Sequence, residues 1–183
     1  MNVSPVLDRL PLVTVTPDGL FCPPGNFHID PWRPVARALI THAHGDHARW
    51  GSQRYLGASP SVGLLRKRLG AEANISTLGY GERLPLGEVT VSFHPAGHIL
   101  GSAQIRIEHR GEVWVVSGDY KRDPDPTCLP FEPVRCDTFI TEATFALPIY
   151  RWDDTRLVAE EVLRWWDGNR EAGRASVLFC YAL

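Results

Sequence analysis

Thr41-His42-Ala43-His44-Gly45-Asp46-His47 places three imidazoles and one carboxylate within six residues, in the order His-x-His-x-Asp-His. His42 and His44, two apart, can point ring nitrogens at one cation. Asp46 and His47 then turn toward a neighbouring position that suits a second cation. Just upstream, Val35-Ala36-Arg37-Ala38-Leu39-Ile40 reads as a buried strand. The cluster therefore falls where a strand ends and a loop or helix begins, a place where sheet proteins commonly put ligands. The competing reading is a surface histidine patch that binds metal adventitiously. Strict spacing and the apolar strand that anchors it argue against that.

The whole chain bounds the answer. Its 183 residues, 44% of them hydrophobic, can bury one sizeable core and at most the beginning of a second. A formal net charge of −2 gives no global basic field for nucleic acid. Arg66-Lys67-Arg68 is a small positive cluster that reads as a solvated helix face. The four cysteines, Cys22, Cys128, Cys136 and Cys180, have no Cys-x-x-Cys spacing, and Cys22 and Cys180 lie in apolar runs as small core residues. A reducing compartment fits this usage. The first ten residues lack a charged and apolar leader, and no stretch approaches the roughly 20 apolar residues of a membrane span. A soluble, cytoplasmic protein without a membrane partner is expected.

Residues 10–40 alternate short β-rich runs with turn signals. Leu12–Thr16 and Gly19–Cys22 flank Pro17-Asp18, and Pro23-Pro24-Gly25-Asn26 precedes Phe27-His28-Ile29. This is the pattern of an antiparallel meander, with His28 a packed or hydrogen-bonded histidine. After the metal motif, Arg54–Ala58 predicts a strand, and Ser59-Pro60 predicts the cap of a helix that ends at Gly70. Further strands are expected at residues 74–78, 89–94, 103–108, 113–117 and 138–141, the last one buried, with Arg110-Gly111-Glu112 making a tight hairpin. From Asp153 the pattern changes. Asp153 or Asp154 can cap a helix in which Val158, Val162, Trp165 and Trp166 recur at helical spacing, with a stop near Gly168. The Trp pair reads as core or interface packing, and Ser176–Tyr181 as a fully buried strand.

The strand ends supply more ligands. His98 sits in the Gly-punctuated turn Pro95-Ala96-Gly97-His98 after a strand. Asp119 follows the Val-Trp-Val-Val strand in Ser117-Gly118-Asp119, where it can bridge two cations. Glu142, in Thr141-Glu142-Ala143-Thr144, ends a third strand. His94 reads as a strand residue, and His109 as exposed beside a hairpin. The expected assignment is His42, His44 and His98 on one ion, Asp46 and His47 on the other, and Asp119 between them. Glu142 orients a ligand histidine. Asp46, Asp119 and Glu142 are the carboxylates expected to serve catalysis. A His and Asp donor set without cysteine suits Zn²⁺, with Mn²⁺ the alternative. Two such ions lower the pKa of a shared water to about 7 and hold a hydroxide nucleophile.

These motifs resemble those of the metallo-β-lactamase fold. Thr141-Glu142-Ala143-Thr144-Phe145 is similar to the acidic motif of its β-CASP nucleic-acid-processing branch. Phe-His-Ile-Asp-Pro-Trp, Pro-Ala-Gly-His-Ile-Leu-Gly-Ser-Ala-Gln, Ser-Gly-Asp-Tyr-Lys-Arg and Phe-Ile-Thr-Glu-Ala-Thr-Phe resemble the bacterial ligase-associated DNA exonuclease group, also called mRNA 3′-end-processing-factor-like. The resemblance implies an α/β architecture, the αββα metallo-β-lactamase sandwich, with two zinc ions and hydrolysis of DNA phosphodiesters. It also implies association with an ATP-dependent DNA ligase and a helicase in repair. Residues 1–150 would be an incomplete metallo-β-lactamase-like domain, and residues 151–183 the beginning of a β-CASP domain. Family members run on through that domain and carry later histidines, including a remaining metal ligand and a proton donor to the leaving group. The chain therefore reads as one that stops partway into its second domain.

Several functions share this metal cage. A DNA exonuclease is the first reading, and an RNA-processing nuclease of the same branch is the second. A thioesterase or lactonase would use the same ions on a carbonyl, but the Glu142 motif and the start of a second domain argue against it. The non-enzymatic reading is a metal-binding fragment without activity.

Overall fold

The computed structural model describes residues 11–179. They divide into one unit up to Glu142 and a second from Ala143.

The first unit opens as the expected meander: β1 (Thr14–Thr16), β2 (Gly19–Cys22) and β3 (Phe27–Ile29) pair antiparallel in succession. β4 (Ala38–Ile40), β5 (Tyr55–Ala58) and β6 (Ile75–Leu78) then add in parallel, giving one sheet in chain order. Parallel neighbours need a crossover, and between β5 and β6 it is a 3-10 turn (Ser59–Ser61) followed by helix α1 (Val62–Leu69). The expected Ser59 cap is not formed. Ser59 lies inside the 3-10 turn, and Ser61, next to α1, donates its hydroxyl back to Ala58 O at 2.7 Å.

The second sheet has the order β11-β10-β9-β8-β7. It comprises β7 (Leu84–Leu86), β8 (Val89–Pro95), β9 (Ala103–His109), β10 (Glu112–Val116) and β11 (Thr138–Ile140). All neighbours are antiparallel except β10 and β11. Arg110 and Gly111 both have positive φ, as a two-residue hairpin turn requires. Two expectations need correction here. β11 is an edge strand whose Phe139 is exposed, and His109 is half-buried, with Nε2 3.5 Å from Glu88 Oε2.

The two sheets share one core. Phe27, Ile29, Leu39 and Leu56 of the first pack with Val89, Val91, Phe93, Ile105, Ile107 and Val116 of the second. Period-2 alternation explains the second sheet: Val89, Val91 and Phe93 face inward from β8, and Ala103, Ile105 and Ile107 do so from β9. β4 is buried on both sides. Leu39 enters the shared core, while Ala38 and Ile40 join Ala43, Ala48, Tyr55 and Leu65 under α1. A short strand covered on both faces must be apolar throughout, and Ala-Leu-Ile is. A helix outside one of two facing sheets agrees with the metallo-β-lactamase sandwich.

In the second unit, Asp154 accepts a hydrogen bond from Arg156 N at 2.8 Å and starts α2 (Thr155–Glu171). No residue of α2 is buried, so the expected core packing of Trp165 and Trp166 is absent among the described residues. Residues 174–179 form no strand, and Val177, Leu178 and Phe179 are exposed. An apolar run becomes a strand only against a partner, and none is available to it among the described residues. Cys180 and Tyr181 lie outside them.

Candidate metal centre

The parallel register brings β3 and β4 side by side, with Ile29 opposite Leu39. Two polar residues, Asp30 and Thr41, therefore leave adjacent strand ends together. Asp30 Oδ1 accepts Thr41 N at 2.8 Å, and Asp30 Oδ2 accepts the Thr41 hydroxyl at 2.5 Å. A carboxylate at neutral pH only accepts, so the Thr41 proton is committed to Asp30. The free lone pair of Thr41 Oγ1 then faces His42 Nδ1 at 3.0 Å. His42 must carry its proton on Nδ1, which leaves the Nε2 lone pair turned to the opposite side.

Nε2 of buried His42 lies 3.0 Å from His44 Nδ1, and His98 Nε2 lies 3.1 Å from the same atom. His98 is brought there by its loop. Ser102 Oγ accepts from His98 N and Ile99 N, and Ala103 N donates to Thr41 O at 2.8 Å, joining the second sheet to the first. Gly97 has φ +73, and a Cβ there would lie 2.4 Å from Lys121 O, so this close approach requires glycine.

Asp119 follows β10 and divides its two oxygens. Oδ2 is 3.9 Å from His42 Nε2 and 3.7 Å from His98 Nε2. Oδ1 is 3.3 Å from His47 Nε2. His47 in turn donates Nδ1–H to Asp30 Oδ2 at 2.8 Å, and its Nε2 is 3.8 Å from Asp46 Oδ2. One atom each from His42, His44, His98 and Asp119 fall within 4.8 Å of one another. The carboxylate of Asp119 thus lies between that group and the His47–Asp46 pair.

Burial first, then the neighbouring His47 cation, hold His42 down to about 2, and burial also lowers His98. Both imidazoles are therefore neutral, the state a ligand needs. His47 goes the other way. Burial opposes its charge, but the hydrogen bonds to Asp119 and Asp30 raise it to about 10. The same His47 contact lowers Asp119 to about 2. To serve as a ligand, His47 would have to give up its Nε2 proton.

The donors fit a metal. With its single Nδ1 site, His44 can make a hydrogen bond to only one of the two nitrogens that face it. Convergence of three lone-pair nitrogens and a carboxylate oxygen is stabilised by a cation. A tetrahedral Zn²⁺ with Zn–N near 2.0–2.1 Å spaces its nitrogens by about 3.3 Å, close to the 3.0 and 3.1 Å found.

The remaining candidates sit apart or at the margin. His94 is held by Ser92 Oγ at 3.1 Å and Glu132 Oε1 at 3.0 Å. His28 packs on Phe21 with ring centroids 4.6 Å apart. Glu142 follows β11, and its charge pulls His98 upward, the weakest of the five influences on that ring. Sequence reading missed Asp30 and Thr41 as members of the site. The one sequence signal was an acid directly after the strand run Phe27-His28-Ile29; the structure adds a non-glycine φ of +43 there.

No family model matches the chain. It is 30% identical over 168 residues to a probable DNA ligase of Opitutus terrae, covering 90% of this chain and 16% of that protein. It is 29% identical over 171 residues to cleavage and polyadenylation specificity factor 73 of Drosophila melanogaster, covering 82% and 25%. A ribonuclease of Thermus thermophilus is 30% identical over 146 residues, covering 65% and 34%. This set of relatives is consistent with a metallo-β-lactamase/β-CASP nuclease. The chain spans about a third or less of the length of these relatives. In this chain a His- and Asp-rich group at the strand ends can hold metal.

Proposed function

We propose that this chain carries the metal-binding part of a β-CASP nuclease that hydrolyses DNA phosphodiester bonds as an exonuclease in ligase-associated repair. The observation that carries this reading is the division of Asp119: one oxygen faces the His42–His44–His98 group, the other faces His47. His42, His44 and His98 would hold one Zn²⁺ and Asp46 and His47 a second, with Asp119 shared; Mn²⁺ can take the same donors. When bound, two such ions ionise a shared water at neutral pH and offset the charge that builds on phosphorus.

The chain's own residues prepare that chemistry. Asp30, through Thr41, keeps the His42 proton on Nδ1, and it keeps the His47 proton on Nδ1 directly. Both rings thereby present Nε2 to the site with fixed orientation. Glu142 contributes negative charge beside His98.

DNA is favoured because the matching segment of the Opitutus protein lies within a probable DNA ligase. RNA is the second reading, favoured by the Drosophila and Thermus relatives, whose names are those of a polyadenylation factor and a ribonuclease. A ligase and a helicase are the proposed partners. The compartment proposed is the reducing cytoplasm, and no described helix is long and apolar enough to cross a membrane. End-labelled single-stranded DNA and RNA incubated with the chain and Zn²⁺ or Mn²⁺, beside Asp119→Ala, test the proposal. DNA laddering lost in the variant supports it, RNA laddering alone moves the substrate to RNA, and cleavage that survives the substitution overturns it.

A further inference from the structure

Two segments leave the metal centre side by side. Residues 30–35 and 47–52 are tied by Asp30 Oδ2 to His47 Nδ1 at 2.8 Å at one end, and by Val35 N to Ser52 Oγ at 3.2 Å at the other. Gly51 lies against Pro34, where an added Cβ would stand 2.9 Å from Pro34 Cγ. Each tie links residues 17 apart in the chain, so the segments keep constant register between them. Trp32-Arg33 and Arg49-Trp50 are the steps carried between these ties.

All four side chains face solvent, Trp32 at 52% and Trp50 at 78% relative exposure. The backbones beneath are fixed: Trp32 N donates to Asp18 O at 2.8 Å, and Arg49 O accepts the Tyr55 hydroxyl at 2.9 Å, while Arg49 Nε donates to Asp46 O at 3.2 Å and leaves the rest of the guanidinium outward. Among the described residues neither arginine is in an ion pair with a carboxylate, whereas Arg83, Arg106 and Arg110 all are. Two exposed indoles and two guanidinium groups without a carboxylate partner among the described residues, on braced loops, match one ligand chemistry. Flat π-faces take stacked bases, and cations take the phosphates between them.

We infer that Trp32, Arg33, Arg49 and Trp50 form a stacking surface for single-stranded nucleic acid, holding the strand beside the metal centre. The inference rests on the phosphodiesterase reading for its substrate class. Its readout is binding, not cleavage, so the two can fail separately. The indoles supply base-tolerant contact, and the arginines supply the salt-dependent part. A protein partner would use the same apolar area without needing two cations in register with it.

The test is fluorescence anisotropy of a labelled oligothymidylate of about ten nucleotides, bound to the whole chain in EDTA, which withholds the cation that cleavage would need. Trp32→Ala/Trp50→Ala should weaken binding about 30-fold or more, from two stacks worth about 1–3 kcal/mol each. Trp32→Phe/Trp50→Phe should restore most of it. Arg33→Gln/Arg49→Gln should lower the slope of log affinity against log salt by about 1.4, at about 0.7 per phosphate contact on a single strand. Equal thermal unfolding of parent and variants confirms that the fold is intact. If the parent does not bind the oligonucleotide, or if the Trp variants bind it as the parent does, the inference is overturned. Trp-dependent binding by a chain that cleaves nothing keeps this surface and removes the phosphodiesterase reading; cleavage with Trp-independent binding does the reverse.

Discussion

His47 Nδ1 lies 2.8 Å from Asp30 Oδ2, and the same carboxylate oxygen takes the hydroxyl of Thr41 that faces His42. One carboxylate that is not a proposed ligand thereby sets the proton positions of a histidine in each half of the site. Asp30→Asn keeps the shape but turns one acceptor oxygen into a donor. Zinc affinity, read by competition with a chromophoric chelator at pH 7, should fall about 10- to 100-fold, the usual cost of removing a group that orients a ligand. Unchanged affinity would remove Asp30 from the account.

Gly118, beside Asp119, has φ +56, and a Cβ there would meet Thr41 Oγ1 at 2.6 Å. Gly118→Ala adds left-handed strain of about 1–2 kcal/mol to a collision with the Asp30–Thr41–His42 relay. Urea unfolding should show a stability loss of at least that size, with weakened zinc binding beside it. Loss of stability with full zinc affinity would show that the relay tolerates displacement.

Phe93 is fully buried on β8 between the two sheets, whereas Trp166 is exposed on α2. Phe93→Ala should cost about 3–5 kcal/mol, because the neighbours cannot collapse fully into the gap. Trp166→Ala in this chain should stay within about 0.5 kcal/mol, as for surface positions generally. Chemical denaturation of both variants checks the pair. A costly Trp166→Ala would mean that α2 is packed in solution.

Burial raises the Cys22 thiol to about 11, against an ordinary value of 9.0. The sign follows: below about 9 the thiol is protonated in folded and unfolded chains alike. Between 9 and 11 only the unfolded chain ionises, so stability should fall as pH rises through that window. At pH 8 iodoacetamide should modify the half-buried Cys128 and Cys136 and spare Cys22 until the chain is unfolded. Peptide mass mapping reads this directly, and early modification of Cys22 would contradict the burial.

The sequence was most legible where chemistry and periodicity agreed. Ala38-Leu39-Ile40 ahead of His42 reads as a covered strand feeding a ligand loop, and residues 89–94 and 103–108 read as strands whose alternation matches the inward faces found. What escaped notice depended on neighbours in space. Asp30 joins the site because β3 runs parallel to β4, a pairing no local pattern announces. β7 carries Pro85, a residue that argues against a strand, yet β7 is a sheet edge, where a missing N–H costs little. Helical spacing marks Trp165 and Trp166 for core or interface packing, and apolarity marks Val177-Leu178-Phe179 for a buried strand, but neither pattern supplies the surface that would cover them.

The most direct test of the account is zinc content. The purified chain, incubated with Zn²⁺ and desalted, should retain zinc by elemental analysis. His98→Ala and Asp119→Ala should lose it while keeping the parent's circular dichroism, because the two residues sit at the convergence of the donor set. A folded parent chain that retains no zinc, or variants that hold as much as the parent, would contradict the metal centre on which the proposed function rests.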